Sequence, residues 1–236
     1  MYGELTIQPR FNGPDSSGNG GYSAGLLAEA LLDGAAGAVQ VTLRKPPPLA
    51  VPMLLTEDRT SAIHHGETIL EATLLEEDIE IVEPVSYDEA VAASTSYPGF
   101  ESHPFPRCFA CGPARKDGLG IYPGRVDARR VATPWTPDAS LTDTDRVGIP
   151  VVWAALDCAS GWANGELSDG RPSVLGRLAA TVDVLPQVGE PHVVVGRNLG
   201  KDGRKTYTLS TVYDSDGRIV ARAGAVWIEV DPSLFG

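Results

Sequence analysis

A chain of 236 residues, 42% of them apolar, can form one large domain or two ordinary ones and can bury a core, which excludes wholesale disorder. With 31 acidic residues against 19 basic ones the net charge is -12 and no Lys/Arg run offsets it, so nucleic acid is excluded as a partner. The opening residues hold no cationic segment leading into an apolar stretch, and no apolar run nears the roughly 18 residues a bilayer span needs; the expectation is a soluble, cytoplasmic protein without a membrane partner.

In chain order, the stretch Gly18-Asn19-Gly20-Gly21 leads into small and aliphatic residues from Tyr22 to Leu32, ended by Asp33-Gly34. This pattern predicts a helix, and its nearly continuous apolar character predicts burial. Runs with strand character follow at Ala38 to Leu43, Met53 to Glu57, Thr68 to Leu75 and Ile79 to Val82, separated by proline and glycine turn signals. One helix and an antiparallel meander thus make a first module over 1–84. Residues 85–107 read as a packed linker, with a short helical pattern from Tyr87 to Ala93 before a stretch rich in proline, aromatic and glycine residues. In 108–236 the order returns: an apolar helix from Pro150 to Ala163, then strands at Ser173 to Leu185, His192 to Arg197, Thr206 to Tyr213 and Ile219 to Val230, with hairpin signals at Asp202-Gly203 and Asp216-Gly217.

The two modules are also similar in sequence. Leu26 to Leu31 aligns on Ala154 to Ala159, which lays Gly20 over Gly148 and Glu29 over Asp157. Pro47 and Pro52 match Pro186 and Pro191 at the same spacing in each half. Duplication explains both coincidences. The fold class expected is α+β, a double module of two long buried helices, each wrapped by an antiparallel sheet, with the sheets joined into one.

Asp157 is the residue most out of place. A lone carboxylate in the apolar run Val151 to Ala159 must face a cavity, a partner or a ligand, because burying it unpaired is costly. Gly20-Gly21-Tyr22 offers a complementary group: the first amides of a helix lack internal partners, and glycine lets a ligand carbonyl approach them. Such amides can stabilise an oxygen that becomes negative. Trp153 can serve as a tunnel wall or as plain core. Arg44-Lys45 and Arg204-Lys205 stand beside strand ends as candidate phosphate contacts.

Three cysteines, Cys108, Cys111 and Cys158, are too few and too unevenly placed for a disulfide framework. Cys108 and Cys111 have C-x-x-C spacing, but structural zinc wants a second ligand pair, and only His103 and the distant His64, His65 and His192 are available; no metal is expected. The histidines sit beside turn residues and read as structural.

The segment Cys108-Phe109-Ala110-Cys111-Gly112-Pro113, continued by Gly118-Leu119-Gly120-Ile121, resembles the opening of hotdog thioesterase modules of the phenylacetate-pathway type. Asn19-Gly20-Gly21-Tyr22, with Ala24-Gly25-Leu26-Leu27 behind it, resembles the first helix entry of type II acyl-CoA thioesterases, which are tandem hotdogs. The resemblance implies a double hotdog in which the cysteine segment is an entry strand, no cofactor is used, and an acyl-CoA or similar thioester is hydrolysed. It makes Asp157 the helix-borne base or nucleophile and Glu29 its counterpart, each facing the other half's helix entry. Asn19 belongs to the substrate side of that entry. The pairing of Asp157 with Gly20-Gly21-Tyr22 is preferred, since Pro150 removes a donor from the reciprocal entry. The chain departs from the type II pattern near its last strand, where Ala223-Gly224-Ala225-Val226-Trp227 replaces a catalytic glutamine, leaving Ser160, Asn164 and Thr181 as polar candidates. That departure keeps a non-catalytic ligand-binding hotdog as the alternative. Hotdog sheets and helices often pair, so a homodimer of the two-module chain is a further expectation.

Overall fold

The strands alternate in burial as half-covered strands must, and the stretches 192–196 and 208–213 are covered on both faces. The computed structural model describes residues 3–165 and 173–231. These form one antiparallel sheet of eleven strands: β1 (Glu4–Thr6), β2 (Ala38–Leu43), β3 (Pro52–Leu55), β4 (Ser61–His64), β5 (Glu67–Leu75), β6 (Gly124–Arg125), β7 (Arg130–Trp135), β8 (Ser173–Val182), β9 (His192–Asp202), β10 (Lys205–Tyr213) and β11 (Ile219–Glu229). In β2, Val39 and Val41 are buried while Gln40 and Thr42 are partly exposed, a period of two that sets one face inward.

The sheet order is β1-β3-β4-β5-β2-β8-β11-β10-β9-β7-β6. Read outward from the β2–β8 seam, each half repeats the same succession of strands, with β6 added at the outer edge of the second. The seam is short, running from the Val39–Ala180 pair to the Thr42–Arg177 pair. A second echo lies in the loops: the Pro47 carbonyl accepts the Gly18 N–H at 2.8 Å, and the Pro186 carbonyl accepts the Val147 N–H at 3.0 Å. In each half the matched proline ties down the chain just before its helix.

Those helices are α1 (Gly20–Leu32) and α3 (Ile149–Ala163). Asn19 caps α1 by accepting the Tyr22 N–H at 2.8 Å, and Asp33 and Gly34 end it in left-handed conformation, with φ of 49° and 87°. The helices run in opposite directions and meet through α1's glycines. A methyl group on Gly21 would lie 2.4 Å from the Trp153 carbonyl oxygen and from Asp157 Cβ, and one on Gly25 would lie 2.7 Å from Pro150 Cα. From Pro150 to Ala163, α3 is buried throughout. The expected burial holds for the first part of α1 but not for its end, where Glu29 is exposed and Ala30, Leu31 and Leu32 are only partly covered. With 13 and 15 residues the helices are of ordinary length rather than long.

Between the halves, α2 (Tyr87–Ser94) packs against β6 and β7. Val82 and Ala90 join Val193, Val195, Leu209 and Tyr213 in a small second core on the far side of the sheet. Ile79 to Val82, expected as a strand, is instead irregular. Side chains pin it: Val82 donates its N–H to Thr211 Oγ1 at 2.9 Å, and its carbonyl accepts the Tyr213 hydroxyl. The cysteine segment is likewise not an entry strand. Cys108 N–H bonds the Phe105 carbonyl at 2.8 Å and Gly112 N–H the Cys108 carbonyl at 2.9 Å, so turns use the groups a strand would pair. Among the described residues no helix is long and apolar enough to cross a membrane.

Because main chain opposes Gly25, Gly25→Ala must push α1 and α3 apart. We expect it to lower stability by about 1–3 kcal/mol, read as a reduced urea midpoint at unchanged slope.

Candidate functional site

The α1–α3 contact delivers a carboxylate to a helix N-terminus. Asp157 lies two turns into α3 and is 2% exposed. Its Oδ2 accepts the Gly21 N–H at 2.8 Å, while Oδ1 is buried without a hydrogen-bond partner among the described residues. Burial pushes the carboxyl up to about 7; the Gly21 N–H and the nearby Asn19 side chain pull the other way, and the Cys108 sulfur adds to the rise. The amide also brings the positive end of the α1 dipole to the carboxylate.

Of the amides expected to receive an oxyanion, Tyr22's is already used by the Asn19 cap and is unavailable. Gly21's faces Asp157, and Gly20 is the first helical residue. Tyr22 contributes its ring instead, stacked on Phe11 at 3.9 Å with the edge of Phe109 beside it. The polar candidates near the last strands do not reach the carboxylate: Ser160 donates to the Asp157 main-chain carbonyl at 2.8 Å and accepts Trp227 Nε1 at 3.1 Å, Asn164 caps the far end of α3, and Thr181 lies in β8 opposite Arg222.

The duplicated counterpart is present. Glu29 faces the Ile149 backbone amide, which lowers its pKa against the larger upward effect of partial burial. It differs from Asp157 in standing exposed to solvent. Beside it a hollow of about 30 Å³ is bounded by Leu32, Ile149, Trp153 and Val182. Trp153 touches that hollow but is 1% exposed and packs on Gly25, so it is core in this conformation.

One grouping had not been expected. The Sγ atoms of Cys108, Cys111 and Cys158, all buried, lie within 4.8 Å of one another. Asn19 Nδ2 sits 3.7 Å from Cys108 Sγ and 3.8 Å from Cys158 Sγ, so the cap of α1 also bridges to this cluster. Hydrogen bonds from Cys111 and Cys158 hold the Cys108 thiol well below its usual range, and the same bonds raise its two neighbours. The C-x-x-C spacing and the position of Cys158 beside Asp157 were visible signals; their convergence was not.

The expected cations are spread out. Arg44 and Lys45 pair with Glu71 and Glu67 across β2 and β5, just beyond Leu43, whose side chain approaches Gly20. Arg204 and Lys205 are exposed at the β9–β10 hairpin. An unexpected cationic site lies in front of α1, where an open cleft of about 490 Å³ is lined by Asn12, Asp15, Arg107, Arg115, Lys116 and Asp117 among others. Arg107 pairs there with Asp15, and Arg115 with Asp117. Phe109 links cleft and helix entry, donating its N–H to the Asn12 carbonyl and packing on Tyr22.

No family model and no curated protein matches the sequence. Solved structures match along nearly its whole length. A putative thioesterase from Novosphingobium aromaticivorans DSM 12444 is 13% identical with a TM-score of 0.64, over 97% of this chain and 95% of that one. The tesB protein of Mycobacterium avium subs paratuberculosis is 13% identical with a TM-score of 0.61, over 97% and 92%. A conserved protein of unknown function with a hot dog fold from Alicyclobacillus acidocaldarius is 12% identical with a TM-score of 0.58, over 97% and 93%. At these identities the likeness is one of fold.

Asn19 both caps α1 and stands between a carboxyl and two sulfurs, which separates two outcomes. Asn19→Ala should cost about 1–2 kcal/mol through the lost cap. Asn19→Asp, an equally good cap on an exposed helix, should cost at least as much because it adds a second buried acid beside Asp157; thermal melts of both variants test this.

Proposed function

We propose that this tandem hotdog protein hydrolyses an acyl thioester, an acyl-CoA in the first instance, at the junction of Asp157 and Gly21. The observation that carries the reading is the 2.8 Å hydrogen bond between them, which joins a carboxylate of the second half to an otherwise unpaired helix amide of the first. A thioester oxygen entering this position displaces Oδ2 from the Gly21 N–H and takes over its hydrogen bond and the α1 dipole. Asp157, a base with a pKa near neutrality, removes a proton from water as its oxygen adds to the carbonyl carbon. The tetrahedral oxyanion keeps the Gly21 bond, the C–S bond breaks, and the thiolate leaves with the proton that Asp157 returns.

Coenzyme A suits the surroundings. The cleft before α1 offers Arg107, Arg115 and Lys116 to its phosphates, with Asp15 and Asp117 released to water, and Arg44 and Lys45 lie on the opposite approach to Gly20. Glu29 and Ile149 form a second, solvent-open pair of the same design, which we assign no turnover.

A second reading, binding of an acyl thioester or another apolar ligand without hydrolysis, is favoured by one feature: base and amide are bonded to each other in a nearly sealed site. Loss of thioester ultraviolet absorbance, followed over short, medium, long and aromatic acyl-CoAs, decides between them. We expect wild type and Glu29→Gln to turn over alike and Asp157→Asn to lose about 100-fold or more. Unchanged rates in Asp157→Asn would remove the assignment, and calorimetric binding without turnover in wild type would establish the second reading.

A further inference from the structure

The three cysteines come from two elements 50 residues apart, yet their sulfurs are gathered as metal ligands are. Zinc bound by thiolates at about 2.3 Å in a tetrahedron places neighbouring sulfurs about 3.8 Å apart. Cys108 and Cys158 Sγ are 3.9 Å apart, and Cys111 lies within 4.8 Å of both.

The turn that carries Cys108 and Cys111 is tight and buried. Gly112 closes that turn so tightly that a methyl group there would lie 2.5 Å from the Cys108 nitrogen. Cys158 is fixed on buried α3. Asn19 Nδ2 approaches two of the sulfurs, and the positive end of α1 lies behind it. These donors suit the single negative charge that a divalent cation leaves on three thiolates.

We propose that Cys108, Cys111 and Cys158 form a three-thiolate zinc site beside the Asp157 carboxylate, a role separate from the reaction assigned to that residue. Each thiol gives up its proton to solvent on binding, so affinity rises with pH. Softness and spacing favour zinc: hard cations need oxygen, and sulfurs within 4.8 Å of one another converge on a single ion rather than surround an iron–sulfur cluster. His103 does not complete the set. Its Nδ1 accepts the Phe105 N–H at 2.9 Å, which leaves the proton on Nε2 and removes that lone pair from coordination. The fourth position therefore belongs to an exchangeable ligand such as water or a small thiol.

The experiment is a cobalt(II) titration of the reduced wild-type protein, which needs no variant to fold. We expect stoichiometric sulfur-to-cobalt charge transfer in the near ultraviolet, visible bands of a four-coordinate ion that shift on adding a small thiol, and loss of both on adding zinc. Cys111→Ser, checked for folding by circular dichroism, should lower the charge-transfer intensity by about a third, as two of three thiolates remain, whereas His103→Ala should leave the spectrum unchanged. Absence of a stoichiometric complex in the reduced wild type overturns the proposal. So does a cobalt spectrum without sulfur charge transfer, or one that Cys111→Ser does not alter.

Discussion

The approach of α1 to α3 is as close as Gly21 and Gly25 allow, because the main chain of Trp153 and Pro150 occupies the space a methyl group would need. The rest of the centre follows from that distance. It puts Asp157 within 2.8 Å of an amide on the other helix and, by the same pseudo-symmetry, Glu29 before Ile149. It also lets two halves joined by a short seam share one core, since α3 is buried along its length against α1 and against strands of its own half. Glycine is unfavourable inside a helix by roughly 0.5–1 kcal/mol relative to alanine, a cost that the close helix contact must offset.

Asp157 is a poor choice for stability. One N–H, a helix dipole and a neighbouring carboxamide oppose its desolvation, and one of its oxygens has no hydrogen bond among the described residues. An apolar residue of similar size would keep the helix contact without that penalty. Buried polar groups with incomplete partners often mark places where a requirement other than stability is being met, and here the same residue accepts the Gly21 N–H at the start of α1.

Much of this was legible because it is local. Helical runs bounded by glycine, hairpin signals, the duplicated prolines and a carboxylate in an apolar helix are all short-range patterns. The loss of the Tyr22 amide was legible too, since an asparagine immediately before a helix accepts from the residue three positions on. What escaped depended on distant contacts. Ile79 to Val82 has the composition of a strand, and only Thr211 and Tyr213, on a strand far along the chain, hold it as an irregular strap. Cys108 and Cys158 belong to a turn and a helix, so no spacing rule connects them. Arg44 and Lys45 looked free until β2 met β5 and set Glu71 and Glu67 beside them.

Duplication produced two carboxylate–amide pairs, but their surroundings have diverged. Glu29 is partly open to solvent, where a hydrogen bond to a developing oxyanion competes with water and the field of a helix terminus is screened. Asp157 is enclosed by α1, α3 and the cysteine turn, where the same dipole and the same single N–H act at low dielectric and need no reorganisation as charge develops. Pro150 widens the difference by removing an amide donor from the Glu29 side. On the proposed reading, a pair of groups that is geometrically duplicated would be chemically single: enclosure, more than the identity of the acid, would separate the carboxylate that drives the hydrolysis from its more exposed counterpart.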